Sequence, residues 1–453
     1  MTDTLLRVGC AAGFSGDRTD AARPVVDALI AAGGPAFLLF ETLAERTLAL
    51  AQLARRSDPR GGFEPLLADL LRPVLGDCLA SGIRIVSNFG AANPEGAARR
   101  IVQLARELGL RAPRVAVVHG DDVSGPAHRT VLERALGAGE HAPAVLDSLV
   151  SANAYIGADA IADALRAGAD VVVTGRVADP SLTLGPALAH FGWAADDWDR
   201  IARGTMAGHL LECGAQVSGG YYADPGFKDI PDLAHVGYPI AEIDADGTCT
   251  VTKPPRTGGR IDAHTVKEQL LYEVHDPAAY LTPDVVADIG AARVDEVGPD
   301  RVRLSGVRGH PRPDQLKVNA FCEQGWLAEA EISYAGPRAE ARARLAADIL
   351  RERLRSIGRL RVDLIGIASV LGDDAGSWLA AQPAGEGRDV RLRIAANHVD
   401  RTEAERLPRE MTALYTCGPA GGGGIRTALR QRLSTHSCFV PREAVPTGFS
   451  FVE

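Results

Sequence analysis

The first 190 residues repeat one pattern six times: a short apolar run, a polar residue at its end, then a stretch that reads as a helix. The apolar runs are Leu5–Val8, Ala36–Phe40, Ile83–Ser87, Val115–Val118, Leu149–Ala152 and Val171–Val173. Strict alternation of strand and helix leaves few folds open. Successive strands joined by right-handed helical crossovers lie parallel, with helices covering the sheet. Val171–Val173 is the clearest strand, because three β-branched residues in succession suit burial on both faces. The alternation stops after six units, which favours an open sheet over a barrel.

The texture changes beyond Tyr221. Short segments separated by Asp-Pro, Gly-Tyr-Pro and Pro-Pro imply connecting loops and one helix over residues 221–300. From residue 301 the pattern is that of a smaller α+β domain with an antiparallel sheet. In it, Lys317–Phe321 and Gly325–Tyr334 are expected to pair through a short turn. The expected fold is therefore α/β over residues 1–220, with a mostly parallel sheet flanked by helices, followed by this α+β domain.

Composition removes several functions. The net charge of -9 argues against a nucleic-acid partner, since phosphate neutralisation needs basic patches. No run of 18 apolar residues is present, so no membrane span is expected. Met1-Thr2-Asp3-Thr4 lacks the basic and apolar regions of a secretory signal. Seven scattered cysteines without a CxxC fit a reduced, cytoplasmic protein and give no zinc-ribbon motif. A chain of this size with such a sheet is expected to form a homo-oligomer.

Open parallel sheets place ligands at the carboxyl ends of their strands. The candidates there are Asp17 and Arg18 in the glycine turn after the first strand, Glu41, Asn88, Asn153, and the pair Arg176 and Asp179. Local chemistry explains some neighbours without function. Thr42 can cap a helix with Glu45 as its capping-box partner, Asn93-Pro94 is a helix start, and Asp179-Pro180 can be another. Glu41 and Arg176 have no such local explanation. His119, Asp121 and Asp122 can serve a metal or a capped turn, and no metal motif is assigned.

The densest reactive cluster is Gly208-His209-Leu210-Leu211-Glu212-Cys213-Gly214-Ala215-Gln216. His209 and Glu212 share a helix face at i, i+3 and form a candidate acid–base pair; core packing explains them equally. Cys213 and Gln216 are candidate substrate contacts. Nothing in the sequence shows a group that lowers the Cys213 thiol pKa, so His209 as an acid or base is preferred over Cys213 as a nucleophile. Two stretches can hold anions. One is the cationic Gly/Pro loop with Lys253, Arg256 and Arg260. The other is Gly421, Gly422 and Gly423, with a helix expected to start near Arg426.

Several motifs together resemble the acyclic terpene utilisation AtuA-like family. They are Gly13-Phe14-Ser15-Gly16-Asp17-Arg18, Glu41-Thr42-Leu43-Ala44-Glu45-Arg46-Thr47, Asn88-Phe89-Gly90-Ala91-Ala92-Asn93-Pro94, Thr174-Gly175-Arg176-Val177-Ala178-Asp179-Pro180-Ser181, the His209 cluster and Gly418-Pro419-Ala420-Gly421-Gly422-Gly423-Gly424. The resemblance implies a role in degrading branched acyclic terpenoids such as citronellol and geraniol through acyl-CoA intermediates. It implies coenzyme A as part of the substrate and a carbon–carbon lyase step on a 3-hydroxy-3-isohexenylglutaryl-CoA type compound. It transfers no catalytic residue. The expected activity is that of a lyase or thioester hydrolase acting on a small acyl-CoA or carboxylate. The alternative is a non-catalytic acyl-CoA-binding or partner subunit beside a carboxylase or hydratase. Catalysis predicts that His209, Glu212, Arg176 and Asp179 meet in one pocket.

Overall fold

A computed structural model describes residues 5–137 and 142–452. The chain forms two compact units, residues 1–320 with 435–453, and residues 321–434. The division falls inside two long strands, Gln315–Ala335 and Gly423–Pro441. Residues 301–320, which the sequence pattern groups with the α+β part, belong to the larger unit.

The larger unit is built on an open ten-stranded sheet. The six sequence-expected strands are β1 (Leu5–Cys10), β2 (Ala36–Phe40), β3 (Arg84–Ser87), β4 (Val115–His119), β5 (Leu149–Ala154) and β6 (Val171–Val173). Five of them pair in parallel in the order β1-β2-β3-β6-β4. The sixth, β5, leaves this stack and pairs with Gln315–Ala335. The sheet is mixed. The antiparallel strands Ile240–Asp244, Cys249–Thr252, Arg301–Ser305 and Arg293–Gly298 extend it beyond β1, and Gly448–Phe451 closes its other end on β4.

β6 shows why the parallel core forms. Its three valines are 0% exposed, covered on both faces as the β-branched run requires. Helix Pro94–Glu107 starts where Asn93-Pro94 predicts, with the Asn93 side chain accepting the Gly96 N–H at 3.0 Å. Helix Trp198–Glu212 is capped by Asp197, whose carboxylate accepts the Arg200 N–H. The loop after β1 lies directly against the far end of that helix. A Cβ at Gly13 would stand 2.4 Å from the Cys213 carbonyl carbon and the Gly214 nitrogen, so only glycine permits the approach.

The smaller unit carries a four-strand run in the order Leu360–Ile365, Asp389–His398, Gln315–Ala335, Gly423–Pro441. Its neighbouring strands Leu360–Ile365, Asp389–His398 and Gln315–Ala335 pair antiparallel. Helix Ala339–Arg353 buries Ala343, Ala346, Ala347 and Leu350 in this unit's core. The hairpin expected between Lys317–Phe321 and Gly325–Tyr334 is instead one 21-residue strand. Gly325, at φ 84°, is accommodated inside the strand and does not reverse it. No helix of the described residues is long and apolar enough to cross a membrane.

Candidate functional site

Loops at the carboxyl ends of the parallel strands wall a pocket of about 860 Å³. This is the size and location expected of a small-molecule site in an α/β protein. Its floor is a buried cluster around Arg176, which is 1% exposed. The guanidinium donates to the carbonyls of Leu43 and Val177 and pairs with the Asp179 carboxylate. It also lies over the Tyr155 ring, 4.6 Å from its centroid. The Arg176 backbone is pinned too, its N–H donating to Asp121 at 2.8 Å. Every face of this charge is occupied. Arg176 therefore fixes Asp179 and is not a free substrate anchor.

Two carboxyl groups on the floor titrate unusually. Burial, opposed by Arg176 and reinforced by the Glu212 charge, pushes Asp179 up to about 7. Its side chain keeps 33% of its surface open and lines the pocket, so the group is reachable from it. Glu41, at the end of β2, is buried and moves up as well, first through desolvation and then through the Asp179 charge. Its Oε1 accepts the Leu43 N–H at 2.7 Å and the Asn88 amide at 2.8 Å. Two buried carboxyl groups with raised pKa values therefore face one pocket, Glu41 at the end of β2 and Asp179 beside Arg176.

The third wall comes from the carboxyl end of helix Trp198–Glu212. Glu212 lines the pocket, whereas His209 is fully buried behind it, with Nδ1 2.9 Å from Glu212 Oε1. The imidazole has no hydrogen-bond partner there, and the contact becomes an ion pair when His209 is protonated. Burial opposes the imidazolium, but the Glu212 carboxylate outweighs it and the His209 pKa moves up. Gln269 Nε2 donates to the His209 carbonyl at 3.0 Å, and the Tyr280 ring lies 5.1 Å from the imidazole. His209 packs behind Glu212 and does not line the pocket, so the expected meeting with Arg176 and Asp179 in one pocket holds for Glu212 and not for His209. Cys213 and Gln216 do line the pocket. Burial drives the Cys213 thiol pKa up, so it stays a thiol.

The opposite wall was not foreseen. Glu45 stands in the first turn of helix Glu45–Ser57. It does not cap Thr42. The cap residue is Ala44, and its N–H is taken by Thr47 Oγ1 at 2.8 Å. Glu45 is left free to face the pocket, where it accepts from Tyr155 OH, from Lys317 Nζ at 3.3 Å and from Asn319 Nδ2 at 3.3 Å. Burial works against this carboxylate, but those donors outweigh it and hold its pKa at about 2. Tyr280 completes the lining near Glu212 and Asp179. Burial and those carboxylates keep its phenol protonated, and its hydroxyl has no hydrogen-bond partner among the described residues.

The remaining candidates are divided. Asp17 lines the pocket, accepting the Gly13 N–H at 2.8 Å and the Tyr238 hydroxyl. Arg18 turns away to a bidentate pair with Asp20 and the Ala234 carbonyl. Asn88 and Asn153 support the site from behind and do not line it. Asn88 holds Glu41 and the Thr42 N–H, and Asn153 donates to Asp121 at 3.0 Å. His119 meets Ser450 and Asp122 caps Ser124. Among the described residues no group of three or more His, Cys, Asp or Glu side chains is placed to hold a metal ion.

Gly421, Gly422 and Gly423 lie in the smaller unit, outside the lining of this pocket. The run leads into the strand Gly423–Pro441 where a helix was expected near Arg426. A Cβ at Gly422 would meet Ile332 Cδ1 at 2.8 Å, so close packing on a neighbouring strand explains that glycine without a ligand.

Fold and site define a mixed-sheet α/β protein with a carboxylate-lined pocket at its strand ends. The model of the acyclic terpene utilisation family protein AtuA matches residues 6–451, and the chain belongs to that family. No curated protein and no solved structure matches it.

Proposed function

We propose that the chain is an acid–base enzyme acting on a branched 3-hydroxyacyl thioester, or the related carboxylic acid, in acyclic terpene utilisation. The observation that carries this reading is the juxtaposition of two carboxyl groups on the floor of one pocket, Glu41, which burial shifts well above the usual carboxylate range, and Asp179, shifted up to about 7. Paired carboxyl groups whose environments separate their protonation states are the usual source of an acid and a base at neutral pH.

A retro-aldol cleavage assigns each group a task. Asp179 takes the proton of the 3-hydroxyl. The C2–C3 bond breaks, C3 becomes a carbonyl, and the bonding pair moves onto C2 as an enolate. The Tyr280 hydroxyl donates to the enolate oxygen, and Glu41 returns a proton to C2. Proton transfer from Asp179 to Glu41 then resets the pair. Arg176 holds Asp179 in place throughout, and Glu212, backed by His209, orients the substrate hydroxyl. Thioester hydrolysis would use the same base on a water molecule.

The test is incubation of the purified protein with a branched 3-hydroxyacyl-CoA, followed by mass spectrometry. A carbonyl fragment and a shortened acid or thioester identify the lyase. Free coenzyme A with the intact hydroxy acid identifies the hydrolase. Binding of the thioester without turnover would instead make the chain a carrier.

A further inference from the structure

The carboxylate pocket has no cation to spare for phosphate. Its two cationic side chains among the described residues are Arg176 and Lys317. Arg176 is committed to Leu43, Val177 and Asp179, and Lys317 pairs with Glu45. Asp17, Glu41, Glu45, Asp179, Glu212 and Glu273 line the same pocket. A coenzyme A thioester carries phosphoryl groups that must be neutralised outside it.

A second cavity of about 370 Å³ answers this need. It is lined by Arg7, Lys253, Arg256 and Arg301 against only Glu242 and Asp300. Glu242 is shared between Arg7 at 3.2 Å and Arg301 at 2.5 Å. Lys253 pairs with Asp300 at 3.3 Å and donates to the Thr257 carbonyl at 2.9 Å. Arg256 has no acidic partner among the described residues. Its backbone is held at φ 63° directly after Pro254-Pro255, a stiff loop that lines the cavity.

The two cavities are close along the chain. Tyr238 lines the pocket and Ile240 lines the second cavity, and two extended residues span at most about 7 Å. We infer that the cavity around Arg256 binds the phosphoryl groups of a coenzyme A thioester whose acyl end reaches the carboxylate pocket. This rests on the thioester reading above. Arg260, third cation of the same loop, pairs with Asp262 at 2.7 Å and is not a liner.

The experiment measures, by calorimetry, binding of one branched 3-hydroxyacyl group carried on coenzyme A and on pantetheine, which lacks the diphosphate and the phosphoadenosine. Wild-type protein is expected to bind the coenzyme A form at least about tenfold tighter, and Arg256→Glu to erase that difference while leaving the pantetheine form unchanged. Unchanged pantetheine binding doubles as the control for folding. Equal wild-type binding of the two forms overturns the phosphoryl site and leaves the proposed reaction standing. An Arg256→Glu protein that keeps the preference for coenzyme A also overturns it. Failure of both thioesters to bind wild-type protein overturns the site and the reaction together.

Discussion

Glu41 and Glu45 are four residues apart, line one pocket and titrate in opposite directions. Glu41 is buried and faces the Asp179 charge, and the Leu43 N–H, the Arg176 charge and the Asn88 amide do not offset its desolvation. Glu45 is partly open and receives a phenol, an ammonium and an amide. The Arg176 charge acts on both, so proximity to a cation does not decide the protonation state. What decides it is the supply of donors relative to the loss of water. Desolvation favours a proton on Glu41, whereas the donors favour the charge on Glu45.

The sharpest way to break this contrast is at Arg176. Replacing a fully buried, paired cation by Arg176→Ala strips Asp179 of its partner and leaves the Leu43 and Val177 carbonyls unsatisfied. The expected loss is about 3–5 kcal/mol by urea denaturation. A loss below about 1 kcal/mol would mean that the floor is wetter than its burial indicates.

Asp179→Asn keeps the shape of the floor and removes its titration. Turnover of a confirmed substrate is expected to fall about 10²–10⁴-fold, with loss of the group near pH 7 from the rate profile. The sign of the stability effect is also fixed. The folded-state pKa of Asp179 lies above its unfolded value, so its contribution is full below about pH 4 and is lost as pH rises through about 7. Wild-type protein should lose stability across that window, and the variant should show a shallower slope.

His209→Gln tests the ion pair behind the Glu212 wall. The raised imidazole contributes stability below its unfolded pKa and loses it as pH rises through the folded value. The deficit of the variant is expected to be larger at pH 6 than at pH 9. KM should rise more than kcat falls if Glu212 orients substrate. The smallest effect belongs to Glu45→Gln. Its partly exposed pairs are worth under about 1 kcal/mol. That contribution is present above about pH 4.5 and is lost as pH falls towards 2, so wild type and variant should converge in acid.

The sequence pattern carried the parallel strands and the Arg176–Asp179 turn, because both depend on neighbours a few residues away. Val171–Val173 could hardly be anything but a buried strand. It did not carry the departure of β5, which is built like its neighbours but pairs with a strand about 165 residues later. Tyr155, Lys317 and Asn319 were missed for the same reason: their meeting at Glu45 is a product of that long-range pairing. The signal available was negative, since Thr47 already serves the helix start and leaves Glu45 without a local task. His209 was legible as the neighbour of Glu212, but periodicity cannot say which of two residues on one helix face meets the cavity and which meets the core.

The division of the chain has a consequence for synthesis. Residues 321–434 are contiguous, so the smaller unit has all of its chain once residue 434 has left the ribosome. The larger unit does not. Its sheet still lacks Gly448–Phe451, which covers the edge of β4. During translation the part that begins first is therefore completed last, and the β4 edge waits unpaired while an entire second unit is made.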